Sequence, residues 1–369
     1  MSIGLAVIGC GTVGRIRAVL AREHPAVSWI GLCDIDEVTV RGLATDVEAD
    51  FSTTDPEVLL ARPEVTAVIV ATAENEHVEP IIGAVELGVP LFIEKPLATD
   101  PVESARVLAA IEAGGVDAVV GYTQRFRRRF QVVKQRLRDG QVGEVTSVVT
   151  RAFMNRMVPD ATLRKTEERS TLTPMVVSGT HSLDMTLWLM EGKTPVEVYA
   201  RSTDLVLAGL GTKDSTFGVF TMDDGAIWSM NISWALPTVW PGAVYGLEIG
   251  IVGTKGVIDI EDTHRDVILA TEIPQPAGYA SKGYQPDSQR YVDFLGSYPP
   301  GDISGGLLWG PMREETMTWF HRIVNGVSTP HASAQDGHRN LLLTMAMDKS
   351  ARTGRAIELP VEPEELLED

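Results

Sequence analysis

The chain has 369 residues, enough for two domains and a large buried core, and 44% of them are hydrophobic, as is typical of globular proteins. Its formal net charge of −18 argues against general binding to nucleic acid or to an anionic membrane, because both require a basic surface. We therefore expect a small-molecule partner, no nucleic acid and no membrane.

The first predicted elements form a dinucleotide-binding unit. Residues 3–8 have the apolar pattern of a buried strand, a helix is predicted over 15–23, and a Gly-x-Gly-x-x-Gly loop lies between them. Gly9 permits the tight turn, Gly11 lets the backbone approach a pyrophosphate, and Gly14 lets the helix pack against the strand. The residues expected to bind the cofactor here are Gly9, Gly11, Thr12, Val13 and Gly14.

The second predicted strand supplies an acid for the cofactor. It covers 27–33 and ends at Asp34, about 20 residues beyond the last glycine, where a carboxylate accepts hydrogen bonds from the adenosine ribose. The same carboxylate would repel a 2′-phosphate, so we predict NAD rather than NADP, with Ile35 also in the cofactor site. The alternative is a solvated strand-end aspartate, and Asp36 is a second acid nearby.

Strand and helix patterns alternate through the rest of the first third of the chain. Asp100, Pro101 and Glu103 form a helix-capping signal. The pattern predicts a doubly wound parallel Rossmann sheet with strands over 65–71, 91–93 and 116–122 and helices over 76–87 and 101–113.

After about Gly121 the pattern predicts an α+β domain with a largely antiparallel, open-faced sheet. Helices are expected over 128–138, 178–190, 313–325 and 337–351, strands over 145–153, 196–201, 215–221, 226–234, 244–252 and 257–260, and an extended excursion over 270–311. The predicted domains are 1–123 for NAD binding, 124–350 for substrate binding and oligomerisation, and a frayed tail over 351–369.

The two cysteines, Cys10 and Cys33, form no disulfide framework and have no metal-ligand spacing, so no metal is predicted. The first apolar segment has the pattern of a strand rather than of a signal peptide. No segment reaches the roughly 18 apolar residues that span a bilayer. These features predict a cytoplasmic protein.

Two short segments carry candidate chemistry. Lys95 lies in a Glu-Lys-Pro sequence at the carboxyl end of a predicted parallel strand, beside the crevice where dinucleotides bind, so it is a candidate to share a proton with a substrate hydroxyl. The alternative is a surface lysine before a proline turn. His181 opens an apolar helix, and Asp184 follows on the same helix face, where it would orient the ring. A structural histidine is the alternative.

The chain resembles the Gfo/Idh/MocA oxidoreductases, which include glucose–fructose oxidoreductase and inositol dehydrogenase. Besides the glycine loop and Asp34, the resemblance is carried by four segments along nearly the whole chain. They are 71–77 with Thr72 and His77, 94–97 with Glu94 and Lys95, 121–126, and 179–184, and residues 350–354 resemble the last helix of the family and the turn after it.

The resemblance implies a role for each matching residue. Lys95 would contact the substrate hydroxyl and the nicotinamide ribose, and His181 would take the hydroxyl proton as hydride leaves carbon. Thr72, His77 and Glu94 would join the cofactor site, and the Lys95–Pro96 peptide is expected to be cis. The resemblance also implies that Gln124, Arg125 and Asn155 line the substrate pocket with His181. Further candidate substrate residues are Arg164, Thr180 and Trp234.

One position departs from the family pattern. Many sugar and cyclitol members carry an aspartate four residues before the histidine, where this chain has Val177. The polar segment before it contains four cations that would suit a carboxylated substrate, namely Arg156, Arg164, Lys165 and Arg169. The alternative is a solvated loop face balanced by Asp160, Glu167 and Glu168. Trp228, Trp234 and Trp240 are candidate sugar-stacking faces, with core or interface packing as the alternative.

The leading hypothesis is an NAD-dependent dehydrogenase of a secondary alcohol or lactol on a sugar, cyclitol or related molecule. A dehydrogenase of a carboxylated ring or semialdehyde hemiacetal is the second hypothesis, and a non-enzymatic NAD-binding regulator is the third. A homo-dimer or homo-tetramer is expected, because an open sheet face carrying Ile227, Trp228, Ile232 and Trp234 would be too apolar to remain in water.

Overall fold

The computed structural model describes residues 2–163, 169, 172–261, 267–275, 290–295 and 301–368. The chain divides into two compact units, the first made of 1–126 and 311–341 and the second of 127–310 and 342–369. In chain order the elements are β1 Ile3–Ile8, α1 Thr12–Arg22, β2 Val27–Cys33, α2 Glu37–Asp46, β3 Phe51–Thr53, α3 Pro56–Leu60, β4 Ala67–Val70, α4 Val78–Glu86, β5 Leu91–Ile93, α5 Pro101–Gly114, β6 Ala118–Val120, α6 Arg128–Arg138, β7 Val145–Asn155, α7 Met157–Leu163, α8 Thr180–Leu189, β8 Pro195–Thr203, β9 Ser215–Met222, β10 Ile227–Leu236, β11 Val244–Gly253, β12 Gly256–Glu261, β13 Val267–Gln275, β14 Arg290–Leu295, β15 Asp302–Ser304, β16 Leu307–Trp309, α9 Pro311–Asn325, β17 Ala332–Ser333, α10 Ala334–Thr353, β18 Ile357–Glu358 and α11 Pro363–Leu367.

The first unit is built on a seven-stranded sheet with the order β17-β6-β5-β4-β1-β2-β3. All of its pairs are parallel except that of β17 with β6. Every residue of β1 and β4 is buried, as expected for central parallel strands covered on both faces. The predicted doubly wound Rossmann sheet is therefore confirmed.

The predicted cap of α5 is also confirmed. The Asp100 carboxylate accepts hydrogen bonds from the backbone N–H groups of Val102 at 2.8 Å and Glu103 at 3.0 Å. The helix ends at Gly114 and is capped by Gly115, whose φ of 59° is left-handed, so the chain turns there at little steric cost. These local signals fix both ends of the helix that follows the Lys95 segment.

The second unit contains a seven-stranded sheet with the order β12-β11-β7-β10-β9-β8-β18. Only the pair β7–β10 is parallel, so the predicted largely antiparallel sheet is confirmed. One face packs in a continuous core with side chains of α8 and α10, including Leu183 and Met347. A π-helical turn, Met175–Gly179, leads directly into α8, so the predicted helix start at 178 falls inside that turn.

The prediction of which residues line the open sheet face was largely wrong. Trp228, Ile232 and Trp234 are fully buried, whereas Ile227 is 53% exposed, because successive residues of a strand point to opposite faces. Helices therefore cover the tryptophan side of β10. The other face nevertheless carries exposed apolar side chains from neighbouring strands, namely Val149, Tyr199, Phe217 and Val219.

The two units also differ from the predicted domains in two segments, residues 311–341 and the C-terminal residues 351–369. Residues 311–341 belong to the first unit, because β17 pairs with β6 and side chains of α9 contact α1. The C-terminal residues are not a separate frayed tail. Ile357 and Glu358 pair with β8, and Leu366 of α11 is buried. These contacts join distant parts of the sequence, which local patterns do not reveal.

Both cysteines are free and buried, as predicted. Across the described residues, no group of three or more histidine, cysteine or acidic side chains is arranged to hold a metal ion. None of the helices in those same residues is long and apolar enough to cross a membrane.

Candidate active site

The glycine loop between β1 and α1 has the geometry of a pyrophosphate cradle. Gly9 has a φ of 95°, and a Cβ there would overlap the backbone of Ala71; a Cβ on Gly14 would overlap the carbonyl oxygen of Gly9. A Cβ on Gly11 would meet nothing within 4 Å, so this glycine borders open space. Two of the glycines thus allow close packing, and the third leaves room for a ligand.

The first turn of α1 offers donors to that space. Gly11 is the N-cap residue and supplies no side-chain hydrogen bond to the helix. Such uncapped N–H groups, here those of Thr12, Val13 and Gly14, bind phosphates well because the helix dipole is positive at that end. The predicted phosphate-binding residues are therefore brought together and fit a dinucleotide.

Asp34 is fixed against the same loop. One carboxylate oxygen accepts a hydrogen bond from the Cys10 backbone N–H at 2.7 Å, and the other from the Asp36 N–H at 3.0 Å. A carboxylate has further lone pairs, so Asp34 is still able to accept from ribose hydroxyls. Ile35, the next residue, is 93% exposed beside it.

Asp36 has a different task. Its carboxylate caps α2 by accepting from the Val38 N–H at 3.0 Å and the Thr39 hydroxyl at 2.7 Å. The hydrogen bonds from Thr39 and Val38 hold the pKa of Asp36 below its ordinary value. The structure thus separates the two nearby acids and leaves Asp34 as the candidate ribose ligand.

His77 contacts backbone rather than open space. It is 1% exposed, with Nδ1 at 2.7 Å from the Pro96 carbonyl and Nε2 at 3.3 Å from the Thr72 carbonyl. Burial lowers its pKa, so the ring is neutral and has one N–H to donate. His77 therefore holds the segments of Thr72 and Lys95 together instead of reaching the cofactor, and the Lys95–Pro96 bond is cis as expected.

Glu94 supports the lysine turn from within the unit. Its Oε1 atom lies 2.9 Å from Nε and 2.8 Å from Nη2 of Arg17, which is fully buried on α1. The Arg17 guanidinium also lies over the Phe92 ring, 4.3 Å from its centroid. Arg17 thus engages the Oε1 atom of Glu94, while Lys95 is half-buried at the turn. The cofactor contact of Glu94 remains a prediction.

Gln124 and Arg125 belong to the first unit, not to the second domain as predicted. Both are buried in a short 3₁₀ turn, Thr123–Phe126. Arg125 Nη2 pairs with the Asp336 carboxylate at 3.1 Å. Burial alone would raise the pKa of Asp336, but Arg125 and Arg339 outweigh it and hold that pKa below its ordinary value. The Arg125 guanidinium is therefore anchored by the return segment of the chain.

The His181 helix of the second unit is positioned by the π-helical turn before it. Trp234 Nε1 donates to Ser178 Oγ at 2.9 Å, and Thr173 Oγ1 donates to the Asp348 carboxylate at 2.5 Å. Thr180 and Asp184 are buried, and His181 is half-buried. The turn thus rests on side chains from β10 and α10, and Arg164 lies outside the described residues.

Two predicted substrate residues have structural tasks. Trp234 is 0% exposed and packs in a cluster with Val177 and three leucines, so neither ring face is free for a sugar. Asn155 donates its amide to carbonyls of Pro237, Trp240 and Gly242 and accepts from the Met157 N–H, all backbone groups. Trp234 and Asn155 therefore support the surrounding core and loops and do not make the predicted substrate contacts.

Sequence reasoning missed Arg17, which contacts Glu94, and Glu315, which contacts both Arg17 and Thr123. A signal existed in the helix periodicity. The buried positions of α1 include 14, 17, 18 and 21, and those of α9 are 312, 315, 316, 319 and 320. A charged residue in each apolar stripe, of opposite sign, is the pattern of two helices that share a buried ion pair.

The comparisons with known proteins agree with this geometry. Residues 3–122 match the model of the Gfo/Idh/MocA oxidoreductase family, described as an NAD-binding Rossmann fold, and residues 130–259 match its C-terminal domain. The first unit thus carries an NAD-binding Rossmann sheet, and NAD is its cofactor.

Individual relatives extend over almost the whole chain. A myo-inositol 2-dehydrogenase of Thermotoga maritima is 25% identical over 364 residues, 97% of this chain and 98% of the relative. A 2,7-anhydro-N-acetylneuraminate hydratase of Mediterraneibacter gnavus is also 25% identical, over 88% of this chain and 83% of the relative. The structure of a scyllo-inositol dehydrogenase from Lactobacillus casei with NAD(H) and scyllo-inositol superposes with a TM-score of 0.73, at 17% identity, over 98% and 100% of the two chains.

Proposed function

Because the chain belongs to the Gfo/Idh/MocA family and is an NAD-dependent dehydrogenase, we propose that it oxidises a secondary alcohol or lactol of a sugar, cyclitol or related small molecule. The observation that carries the proposal is the intact glycine loop with Asp34, together with Lys95 in the turn at the carboxyl end of β5. Ligands of such sheets bind at this end of the strands. Relatives named inositol dehydrogenases favour a cyclitol.

We propose that Lys95 and His181 together handle the proton of the substrate hydroxyl. The substrate loses a hydride from carbon and a proton from its hydroxyl, which leaves a carbonyl. NAD, when bound, accepts the hydride at its nicotinamide. Lys95 would hold the hydroxyl oxygen by a hydrogen bond, and His181 would take the proton as general base. The side chains of Gln124 and Thr180 are candidates to orient the other hydroxyls.

A substrate screen tests the proposal. We expect the purified chain to reduce NAD in the presence of at least one of myo-inositol, scyllo-inositol or a hexose, seen as absorbance of NADH. Stoichiometric NADH binding without turnover on any alcohol or aldehyde would instead support the regulator. Conversion of an anhydro-sugar without net NADH formation would place the chain nearer to the hydratase relative.

A carboxylated substrate is the second candidate, and one observation favours it. The Nε atom of Arg156, at the start of α7, is buried and has no hydrogen-bond partner among the described residues. A buried guanidinium nitrogen without a partner is costly, and a substrate carboxylate would satisfy it. Val177 fits the same reading, because its apolar side chain supplies no acid to repel an anion. The screen should therefore include uronic acids and semialdehyde hemiacetals.

We further propose that the protein is a cytoplasmic homo-oligomer, a dimer or tetramer. Exposed apolar residues on one sheet face usually mark a contact, and here Val149 on β7 and Phe217 and Val219 on β9 lie on the two strands that flank β10. A second copy paired sheet to sheet would cover them. Light scattering should show a multiple of 40.0 kDa, and Phe217→Asp together with Val219→Asp should yield monomers. A wild-type monomer at micromolar concentration would refute the assembly.

A further inference from the structure

Glu315 on α9 belongs to a buried group of charged side chains in the first unit. Nη2 of Arg17 donates to Glu315 Oε2 at 2.5 Å, and Nε donates to Glu94 at 2.9 Å. Nη1 donates to the Thr316 hydroxyl at 2.6 Å and to the Met312 carbonyl at 3.3 Å. All three nitrogens of the guanidinium are therefore engaged, and its orientation is fixed.

The same carboxylate reaches a second turn. The Thr123 hydroxyl donates to Glu315 Oε2 at 2.9 Å. Thr123 immediately precedes Gln124, just as Glu94 immediately precedes Lys95. Through two short paths, Glu315 thus connects the backbone of the lysine turn with the backbone of the glutamine turn.

The electrostatics of the group are unusual for a merely structural support. One arginine faces two carboxylates, and Arg17 and Glu315 are both 0% exposed. Burial raises the pKa of Glu315 to about 7, although Arg17 opposes the rise, and Glu94 adds to it. Glu315 Oε1 is buried without a partner in the part of the chain that the structure describes. Apolar residues of similar volume often stabilise such a position at least as well, so stability alone does not account for the charges.

We propose that Glu315 is a positioning residue that holds the Lys95 turn, through Arg17 and Glu94, and the Gln124 turn, through Thr123, in one fixed mutual geometry. The part concerning catalysis rests on the proposed function, in which Lys95 contacts the substrate hydroxyl. Small displacements of such groups cost rate because the reacting atoms leave their near-attack distance. Glu315 lies beyond residue 259, where the matched family segments end.

The test compares Glu315→Ala with Glu315→Gln in the full chain. With NAD and myo-inositol, we expect Glu315→Ala to lower kcat by about tenfold, because both turns lose their common anchor. Glu315→Gln should stay within about threefold of wild type, because its amide oxygen still accepts from Arg17 and Thr123. The Kd for NADH should change by less than about twofold in both. Glu314→Ala, an exposed neighbour on the same helix, is the matched control.

A purely structural role predicts another pattern. It would lower the melting temperature of Glu315→Ala but leave kcat per bound NADH unchanged, and this result would overturn the proposal. If Glu315→Ala does not fold, Thr123→Val removes only one donor from the same carboxylate. We expect it to lower kcat by about threefold without loss of NADH binding, and an unchanged kcat would equally overturn the proposal.

A readout without substrate separates this proposal from the proposed function. The rate of reductive methylation of Lys95, followed by peptide mass spectrometry in NADH-bound protein, reports the environment of its amine. Glu315→Ala should change that rate by about threefold and Glu314→Ala should not. If the wild-type protein oxidises no polyol but Glu315→Ala changes the labelling rate of Lys95, the proposed function is rejected and the positioning role is retained. If the wild-type protein oxidises a polyol but Glu315→Ala alters neither kcat nor the labelling rate of Lys95, the proposed function is retained and the positioning role is rejected.

Discussion

The two units hold their candidate catalytic side chains by different means. In the first, the turn of Lys95 rests on buried charge, since Glu94 is fixed by Arg17. In the second, the turn before His181 rests on apolar packing around Val177 and on the hydrogen bond from Trp234 to Ser178. Charged contacts are directional and fix orientation, whereas apolar packing fixes position with little directionality. The lysine side is thus the more strictly oriented of the two.

The largest expected effect is a loss of kcat when the candidate catalytic side chain of either unit is removed. Lys95→Ala and His181→Ala should each lower kcat by about two to four powers of ten, the range for lost acid–base catalysis. Folding and NADH binding should largely survive, because neither side chain belongs to a hydrophobic core cluster. Turnover with the substrate found in the screen, and NADH fluorescence for binding, are the measurements. Wild-type turnover in either variant would remove that residue from the mechanism.

A second prediction concerns the apolar support of the second unit. Trp234→Ala should destabilise the protein by about 3–5 kcal/mol, because it empties a fully buried site. Trp234→Phe keeps most of the volume but loses the donor to Ser178, for a cost of about 1 kcal/mol. Denaturant unfolding measures both, and Ser178→Ala is the control for the hydrogen bond. An increase in KM with no change in unfolding would instead indicate that the ring stacks on substrate.

The contrast between the units also explains what the sequence revealed. The glycine loop, the Asp100 cap and the alternating strands impose local backbone geometry, so their residue types are nearly dictated and the fold was predictable. The pairing of β17 with β6 joins residues 212 positions apart, and the contact of Glu315 with Arg17 joins residues 298 positions apart. Helix periodicity marks Arg17 and Glu315 as buried charges, but no local pattern identifies which distant element each one contacts. Trp234 was misplaced for a related reason, because alternation along β10 gives two faces but not which one the helices cover.

A third and smaller expected effect concerns the preference of the first unit for NAD over NADP. Asp34→Ala should reduce the preference for NAD over NADP by about tenfold, because the ribose loses an acceptor and the 2′-phosphate loses a repelling charge. Asp36→Ala is the matched control, since its carboxylate is committed to capping α2. The ratio of the two kcat/KM values is the measurement. A wild-type preference for NADP, or an equal effect of both variants, would refute the assignment.

The smallest expected effect concerns pH and the second unit. Burial raises the pKa of Asp348 to about 7, above the ordinary value near 4, although its hydrogen bond from Thr173 opposes the rise. Between these two values the folded state keeps a proton that the unfolded state has released, so this group makes stability fall as pH rises from about 4 to 7. Asp348→Asn cannot ionise and should lack that contribution.

The difference in melting temperature between Asp348→Asn and wild type isolates the contribution of the Asp348 carboxyl group, because all other titrating groups are present in both proteins. The melting temperature of Asp348→Asn minus that of wild type should increase between pH 6 and pH 7, by about 2–4 °C for roughly 1 kcal/mol. The increase should level off above about pH 7, where Asp348 is ionised in both states. A difference that is constant over this range would show that Asp348 titrates normally. The turn before His181 would then be held by an ionised carboxylate, and the contrast between a charged first unit and an apolar second one would narrow.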